Sequence, residues 1–183
     1  LTGRHYRLFD YIGADDAERI LILMGSGVGA AEETVEHLVA QGEKVGIVVV
    51  RLYRPLSAEH LLQAIPDSAQ QIAVLDRTKE SGAGGEPLYE DVVTVLATQG
   101  KPMAEIFGGR YGLSSKEFTP AMVKSLFDAL QQNRLFNNFT IGIQDDVTHT
   151  SVPWEEQFRP DCVKQQFKAI FYGLGSDGTV SAN

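Results

Sequence analysis

Cysteine is nearly absent: Cys162 stands alone among 183 residues. One thiol forms no internal disulfide and builds no zinc or iron–sulfur site by itself, so the fold must rest on packing, and a reducing, cytoplasmic setting fits best. Long apolar runs are missing as well. No window approaches the roughly 20 apolar residues a membrane helix requires, which excludes a helical span and leaves no membrane among the expected partners. Positive charge is scarce: Lys and Arg total 16 against 24 Asp and Glu, a formal net charge of −8. That balance repels a phosphate backbone at long range, so nucleic acid is not an expected partner. Recognisable catalytic motifs are lacking too. There is no G-x-S-x-G, no H-E-x-x-H, and no P-loop lysine after the glycines. His5, His37, His60 and His149 are scattered without a nucleophile beside them. No catalytic residue and no metal site is assigned.

The opening Leu1-Thr2-Gly3-Arg4-His5-Tyr6-Arg7 has neither an initiator methionine nor a signal-peptide pattern. The close, from Gly175 to Asn183, reads as a glycine turn leading nowhere, so both ends look cut. The chain is therefore expected to be an internal piece of a longer polypeptide.

What is present is ordinary material for a core: 43% hydrophobic residues and 22% charged ones. Short apolar runs alternate with helical stretches. Arg19–Met24, Val45–Val50, Ile72–Leu75, Ala104–Phe107 and Phe139–Ile143 are apolar on both faces, as strands are when helices cover both sides of a sheet. Between them, helices are expected over Ala30–Gln41, from the Ser57 cap to Ile65, over Pro87–Gln99, and from Pro120 through Leu130. This order predicts an α/β fold, a three-layer, mostly parallel sheet flanked by helices with right-handed crossovers. The expected division is a linker over 1–18, the α/β domain over 19–147, and a connector over 148–166 that wraps a surface. A truncated start of a following domain occupies 167–183, with a strand over Phe167–Leu174.

Glycine clusters mark the strand ends. Gly25-Ser26-Gly27-Val28-Gly29-Ala30 follows a strand and precedes a helix, the setting of a dinucleotide loop. The spacing lacks the last glycine or alanine of that fingerprint, and Arg51 and Arg54 stand where an acidic residue is expected. A tight packing turn is the competing reading; a stand-alone dinucleotide-binding domain using Gly25–Ala30 is the rival function. Ser81-Gly82-Ala83-Gly84-Gly85-Glu86-Pro87 suits either a loop that docks against another domain or a ligand contact. Gly108-Gly109-Arg110-Tyr111-Gly112-Leu113-Ser114-Ser115-Lys116 places an arginine and a lysine at a strand end, where they could clamp an anion or bridge to an acidic surface. Asp145-Asp146-Val147-Thr148-His149-Thr150 offers metal or acid/base groups, but adjacent strand carboxylates point to opposite faces and Asx-type turn capping fits better. The Gly173–Thr179 turn could cradle a phosphate through backbone amides and the Ser176 and Thr179 hydroxyls.

These strings, together with Val50-Arg51-Leu52-Tyr53-Arg54-Pro55-Leu56-Ser57 and Leu75-Asp76-Arg77-Thr78-Lys79-Glu80, resemble the pyruvate:ferredoxin/flavodoxin oxidoreductases across nearly the whole chain. Departures are small: Ser81 stands where proline is frequent and Ser181 where glycine is usual. The resemblance implies the second, transketolase C-terminal-like domain of a long homodimeric enzyme, followed by a gamma-type domain. It further implies that the parent oxidatively decarboxylates pyruvate to acetyl-CoA, using thiamine diphosphate, Mg2+, 4Fe–4S clusters and coenzyme A, and reduces ferredoxin or flavodoxin. The remaining partners are other domains of the same polypeptide. Gly175, Ser176, Asp177, Gly178 and Thr179 resemble part of the family's coenzyme A site and are the candidate cofactor contacts. The piece alone is expected to hold no cofactor and to be inactive.

Overall fold

The computed structural model describes residues 3, 6–99, 104–161, 169, 170 and 172. The chain runs β1 (Phe9–Gly13), β2 (Arg19–Leu23), α1 (Val28–Ala40), β3 (Val45–Val50), α2 (Ala58–Ala64), β4 (Gln71–Asp76), α3 (Pro87–Thr98), β5 (Glu105–Tyr111), α4 (Pro120–Gln131), β6 (Phe139–Ile141) and β7 (Ser151–Val152). The strands form one sheet in the order β1-β3-β2-β4-β5-β6-β7. Every pairing is parallel except β1 on β3. The expected three-layer, mostly parallel α/β fold is what forms.

The unbroken apolar runs are explained by two cores, one on each face. Leu21, Leu23, Ile47, Val49, Ala73 and Leu75 pack with α1 and α4. The alternate residues Ile20, Ile22, Val48, Val50, Ile72 and Val74 pack with α2 and α3. Period-2 alternation thus feeds two buried faces, and no strand residue in the centre can be polar without a partner.

Three differences from the sequence reading have physical causes. The stretch 1–18, expected as a linker, supplies β1, an antiparallel edge strand whose five residues are mostly half-buried and so carry no strong apolar run. The connector supplies β7, two residues long and too short for any period. β5 does not stop before Gly108 and Gly109 but runs through them to Tyr111. Aromatic rings require those glycines: a Cβ at Gly108 would enter the Tyr89 ring and one at Gly109 the Phe139 ring. The strand expected over Phe167–Leu174 lies outside the described residues apart from Ala169, Ile170 and Tyr172, which belong to no regular element.

Candidate functional site

Because β3 lies on one side of β2 and β4 on the other, the chain reverses direction across the sheet between β2 and β4. Open α/β sheets bind ligands at the carboxyl ends of strands flanking such a reversal. The Gly25–Gly27 turn stands there, a single 3-10 turn running directly into α1. Gly25 adopts φ 75°, which favours glycine. Gly27 does not; its φ is −68°. What Gly27 accommodates is a ring: a Cβ there would lie 2.9 Å from the Tyr111 ring and 3.1 Å from Phe118. Tyr111 is 2% exposed, its hydroxyl donates to the Met24 carbonyl at 3.0 Å, and its ring packs against Phe118 at 4.4 Å. Burial pushes the Tyr111 hydroxyl pKa up, so it stays a donor.

The rim of the crevice is bridged by Arg77, an exposed residue at the end of β4. Its Nε donates to the Gly112 carbonyl at 2.6 Å, and its two terminal nitrogens to Ser26 Oγ at 2.9 Å and the Ser114 carbonyl at 3.3 Å. One guanidinium thereby ties three loops together. The geometry favours the packing-turn reading of Gly25–Ala30, because Tyr111 and Phe118 pack against Gly27 and Arg77 engages Ser26. Arg51 and Arg54 are engaged elsewhere, with Asp10 at 2.9 Å and Asp91 at 2.6 Å. Tyr53 also donates to Asp91, at 2.6 Å, and Arg54 stacks over its ring at 4.1 Å.

Beside Arg77 lies a buried charge network that sequence reasoning missed. Asp76, 5% exposed, accepts from the amides of Leu88 and Tyr89 at 3.0 and 3.1 Å and so caps α3 from the neighbouring strand. Desolvation raises its pKa despite those two amides, and nearby Glu86 adds to the rise. Glu86, 4% exposed, accepts from Arg110 at 3.0 Å and from the Glu80 amide at 2.6 Å. Arg110 and Asp76 are register partners across β4 and β5. The network pins both ends of the glycine loop, while residues 77–84 between them are exposed. Arg110 is therefore committed to Glu86. The sequence signal was Glu86 directly before Pro87 at a helix start.

The 145–150 segment is a turn. Asp145 accepts from the amides of Val147, Thr148 and Thr150 and from the hydroxyls of Thr148 and Thr150. The Thr148 hydroxyl, first among these bonds, holds the Asp145 carboxyl well below the usual carboxylate range. Among the described residues no three His, Cys, Asp or Glu side chains converge as a metal set. Of the histidines, His60 pairs with the Ser57 cap of α2 at 2.7 Å, and His149 sits in the turn at φ 56°. His37 is buried in α1 and accepts from the Asp161 amide at 3.0 Å. His5 lies outside the described residues, as do Gly175, Ser176, Asp177, Gly178 and Thr179.

These features define a class: an α/β module with both faces covered, its ligand edge filled by its own side chains and one glycine loop presented outward. Residues 17–121 match the family model described as pyruvate:ferredoxin oxidoreductase core domain II, and the chain belongs to that family. It is 60% identical over its whole length to the pyruvate:ferredoxin oxidoreductase of Moorella thermoacetica, of which it covers 16%. It is 57% identical to a putative pyruvate-flavodoxin oxidoreductase of Synechocystis sp., of which it covers 15%. The solved 2-oxoglutarate:ferredoxin oxidoreductase of Magnetococcus marinus, with 2-oxoglutarate, coenzyme A and succinyl-CoA bound, resembles 70% of this chain at 17% identity. The match covers 20% of that chain, with a TM-score of 0.49.

Proposed function

We propose that this domain is a non-catalytic scaffold of a 2-oxoacid oxidoreductase that converts pyruvate and coenzyme A to acetyl-CoA and carbon dioxide, passing the electrons to ferredoxin or flavodoxin. The observation that carries the reading is the commitment of Tyr111 to packing and of Arg77 to bridging at the sheet's carboxyl edge, which leaves the exposed 78–84 loop to meet other parts of the larger protein. The transketolase C-terminal-like fold, the linker and following-domain boundaries, the homodimeric state and the cytoplasmic setting belong to the same proposal.

Thiamine diphosphate with Mg2+ would supply the decarboxylation chemistry and 4Fe–4S clusters the electron path. The residues here do not fit those groups. One cysteine cannot ligate a cluster, and the acidic side chains at the sheet edge are committed to amides and arginines. Gly175, Ser176, Asp177, Gly178 and Thr179 are assigned one edge of the coenzyme A site, in which backbone amides would have to meet the phosphate and the Asp177 carboxylate would have to face away. Half a pocket holds little ligand, so the chain alone has negligible affinity for coenzyme A. Calorimetric titration with NAD, NADP and coenzyme A is the test. Flat isotherms are expected for all three; micromolar NAD binding abolished by Gly27→Val would overturn the reading in favour of a dinucleotide domain.

A further inference from the structure

The two edge strands of the sheet are not alike. β7 is two residues long and Pro153 follows it directly, so it offers little backbone to a further strand. β1 is five residues long, and Phe9-Asp10-Tyr11-Ile12-Gly13 contains neither proline nor lysine. Its one charge, Asp10, is turned toward β3, where it pairs with Arg51 at 2.9 Å. The inner side of β1 is taken: the Arg51 amide donates to the Leu8 carbonyl and the Ala14 amide to the Val45 carbonyl, each at 3.0 Å. Directions alternate along an antiparallel ladder, so Leu8, Asp10, Ile12 and Ala14 face β3, while Phe9, Tyr11 and Gly13 turn their N–H and C=O groups outward. Among the described residues no hydrogen-bond partner meets those outward groups. A groove of about 540 Å³ opens beside them, walled by Tyr6, Arg7 and Phe9 and, from α2, by His60 and Gln63.

Such an edge is a template for one more strand, and the charges at its ends say which. Arg7 stands exposed before β1, and Asp15 and Asp16 stand exposed after it. Asp16 is paired with Lys44 at 3.2 Å. Arg7 and Asp15 have no ion-pair partner among the described residues. They lie equally far from Tyr11, the middle residue of the strand. Laid antiparallel on a second β1 with Tyr11 opposite Tyr11, the strand sets Phe9 opposite Gly13 at both ends, so every outward group meets an outward group. The same register brings the Arg7 end of each strand to the Asp15 end of the other. A slip of one residue would set outward groups against groups already bonded to β3. Parity excludes the odd registers, and charge selects among the even ones.

We infer that β1 is a self-complementary edge: two copies of this chain join across a two-fold axis perpendicular to the sheet, β1 antiparallel to β1, in one continuous sheet. The α2 helices of the two copies then stand on the same face, and the two grooves close against each other. The contact is short, so the dimer is weak and concentration-dependent, in the class of transient interfaces. Its charged ends are exposed, so high salt loosens it. This inference stands apart from the family reading: the homodimeric state proposed for the larger protein names no surface, and the edge pairing holds or fails on this chain alone.

Sedimentation equilibrium from low-micromolar to near-millimolar protein reads the association, with circular dichroism confirming that each variant folds. The average mass of wild type is expected to climb from one chain toward two. A dimer of Arg7→Asp places carboxylates against each other at both ends, and a dimer of Asp15→Arg does the same with guanidinium groups. Each variant alone should raise the dissociation constant about tenfold or more. Mixed in equal amounts, the two variants restore opposite charges at both ends, and a heterodimer as tight as the wild-type dimer is expected. Hydrogen exchange at the Phe9, Tyr11 and Gly13 amides should slow as wild-type concentration rises. Wild type that stays monomeric throughout, a dimer indifferent to either substitution, or a mixture no tighter than its components would each overturn the pairing. So would protection of those three amides at every concentration, which would show that another segment of the same chain covers the edge.

Discussion

Replacing Gly27 with alanine separates a packing turn from a ligand loop. The backbone at Gly27 is right-handed, φ −68° and ψ −17°, so alanine adopts it without strain. Its restriction of the unfolded chain would by itself stabilise by about 0.4–1 kcal/mol. The added methyl, however, lies 2.9 Å from the Tyr111 ring and 3.1 Å from Phe118. Tyr111 cannot swing away cheaply, because it is buried, hydrogen-bonded to Met24 and packed against Phe118. Overpacking of this kind costs about 1–3 kcal/mol. The expected net loss lowers Tm by about 2–8 °C for a domain of this size. Urea and thermal melts measure it. Tyr111→Leu makes room, so the double variant Gly27→Ala/Tyr111→Leu should be more stable than the sum of the two single losses. If Gly27→Ala melts with wild type and the double variant is simply additive, the ring does not occupy the loop, and the argument for a closed edge fails.

Asp76→Ala strands the Leu88 and Tyr89 amides, at about 1–3 kcal/mol for each one left unpaired. In Asp76→Asn one amide keeps its acceptor. Because the Asp76 pKa is raised in the fold, the folded protein takes up its proton first. Wild type should therefore gain on Asp76→Asn as pH falls from 7 through the folded pKa, and a difference that shrinks on acidification would contradict the sign. Arg110→Met leaves the Glu86 carboxylate buried without its cation, and denaturant melts should show a loss of about 3–5 kcal/mol. Arg110→Met with Glu86→Gln should recover much of it; equal losses would show that the pair is not coupled. Asp145, held below the usual carboxylate range, contributes stability that is present above the unfolded pKa and lost only as pH falls through the folded one. Its carboxyl carbon should show no NMR titration down to about pH 3, where a free aspartate has already protonated. Asp145→Ala should speed hydrogen exchange at Val147, Thr148 and Thr150.

The sheet was legible where both faces are buried. Val45–Val50 has no polar residue, and nothing but a strand between two helical layers suits it. β1 was not read, although Phe9 and Tyr11 alternate with Asp10, because a half-buried edge strand leaves only a short alternation to notice. The glycines of β5 misled in the other direction. Gly108-Gly109 looks like a loop until the Tyr89 and Phe139 rings that cover them are known, and those lie 19 and 30 residues away in the chain. The site behaved likewise: Gly25–Ala30 was placed correctly at the strand end, but no local pattern announces that Tyr111 fills it or that Arg77 spans three loops. Such contacts depend on which strands become neighbours, so they appear only once the topology is fixed. The tie between His37 and Asp161, across 124 positions, is the extreme case.

As proposed, this domain positions other groups and performs no chemistry itself. Pyruvate-dependent reduction of a low-potential dye is the direct measurement, with thiamine diphosphate, Mg2+ and coenzyme A supplied to the purified 183-residue chain. No reduction above the buffer rate is predicted; sustained turnover proportional to protein concentration would contradict it.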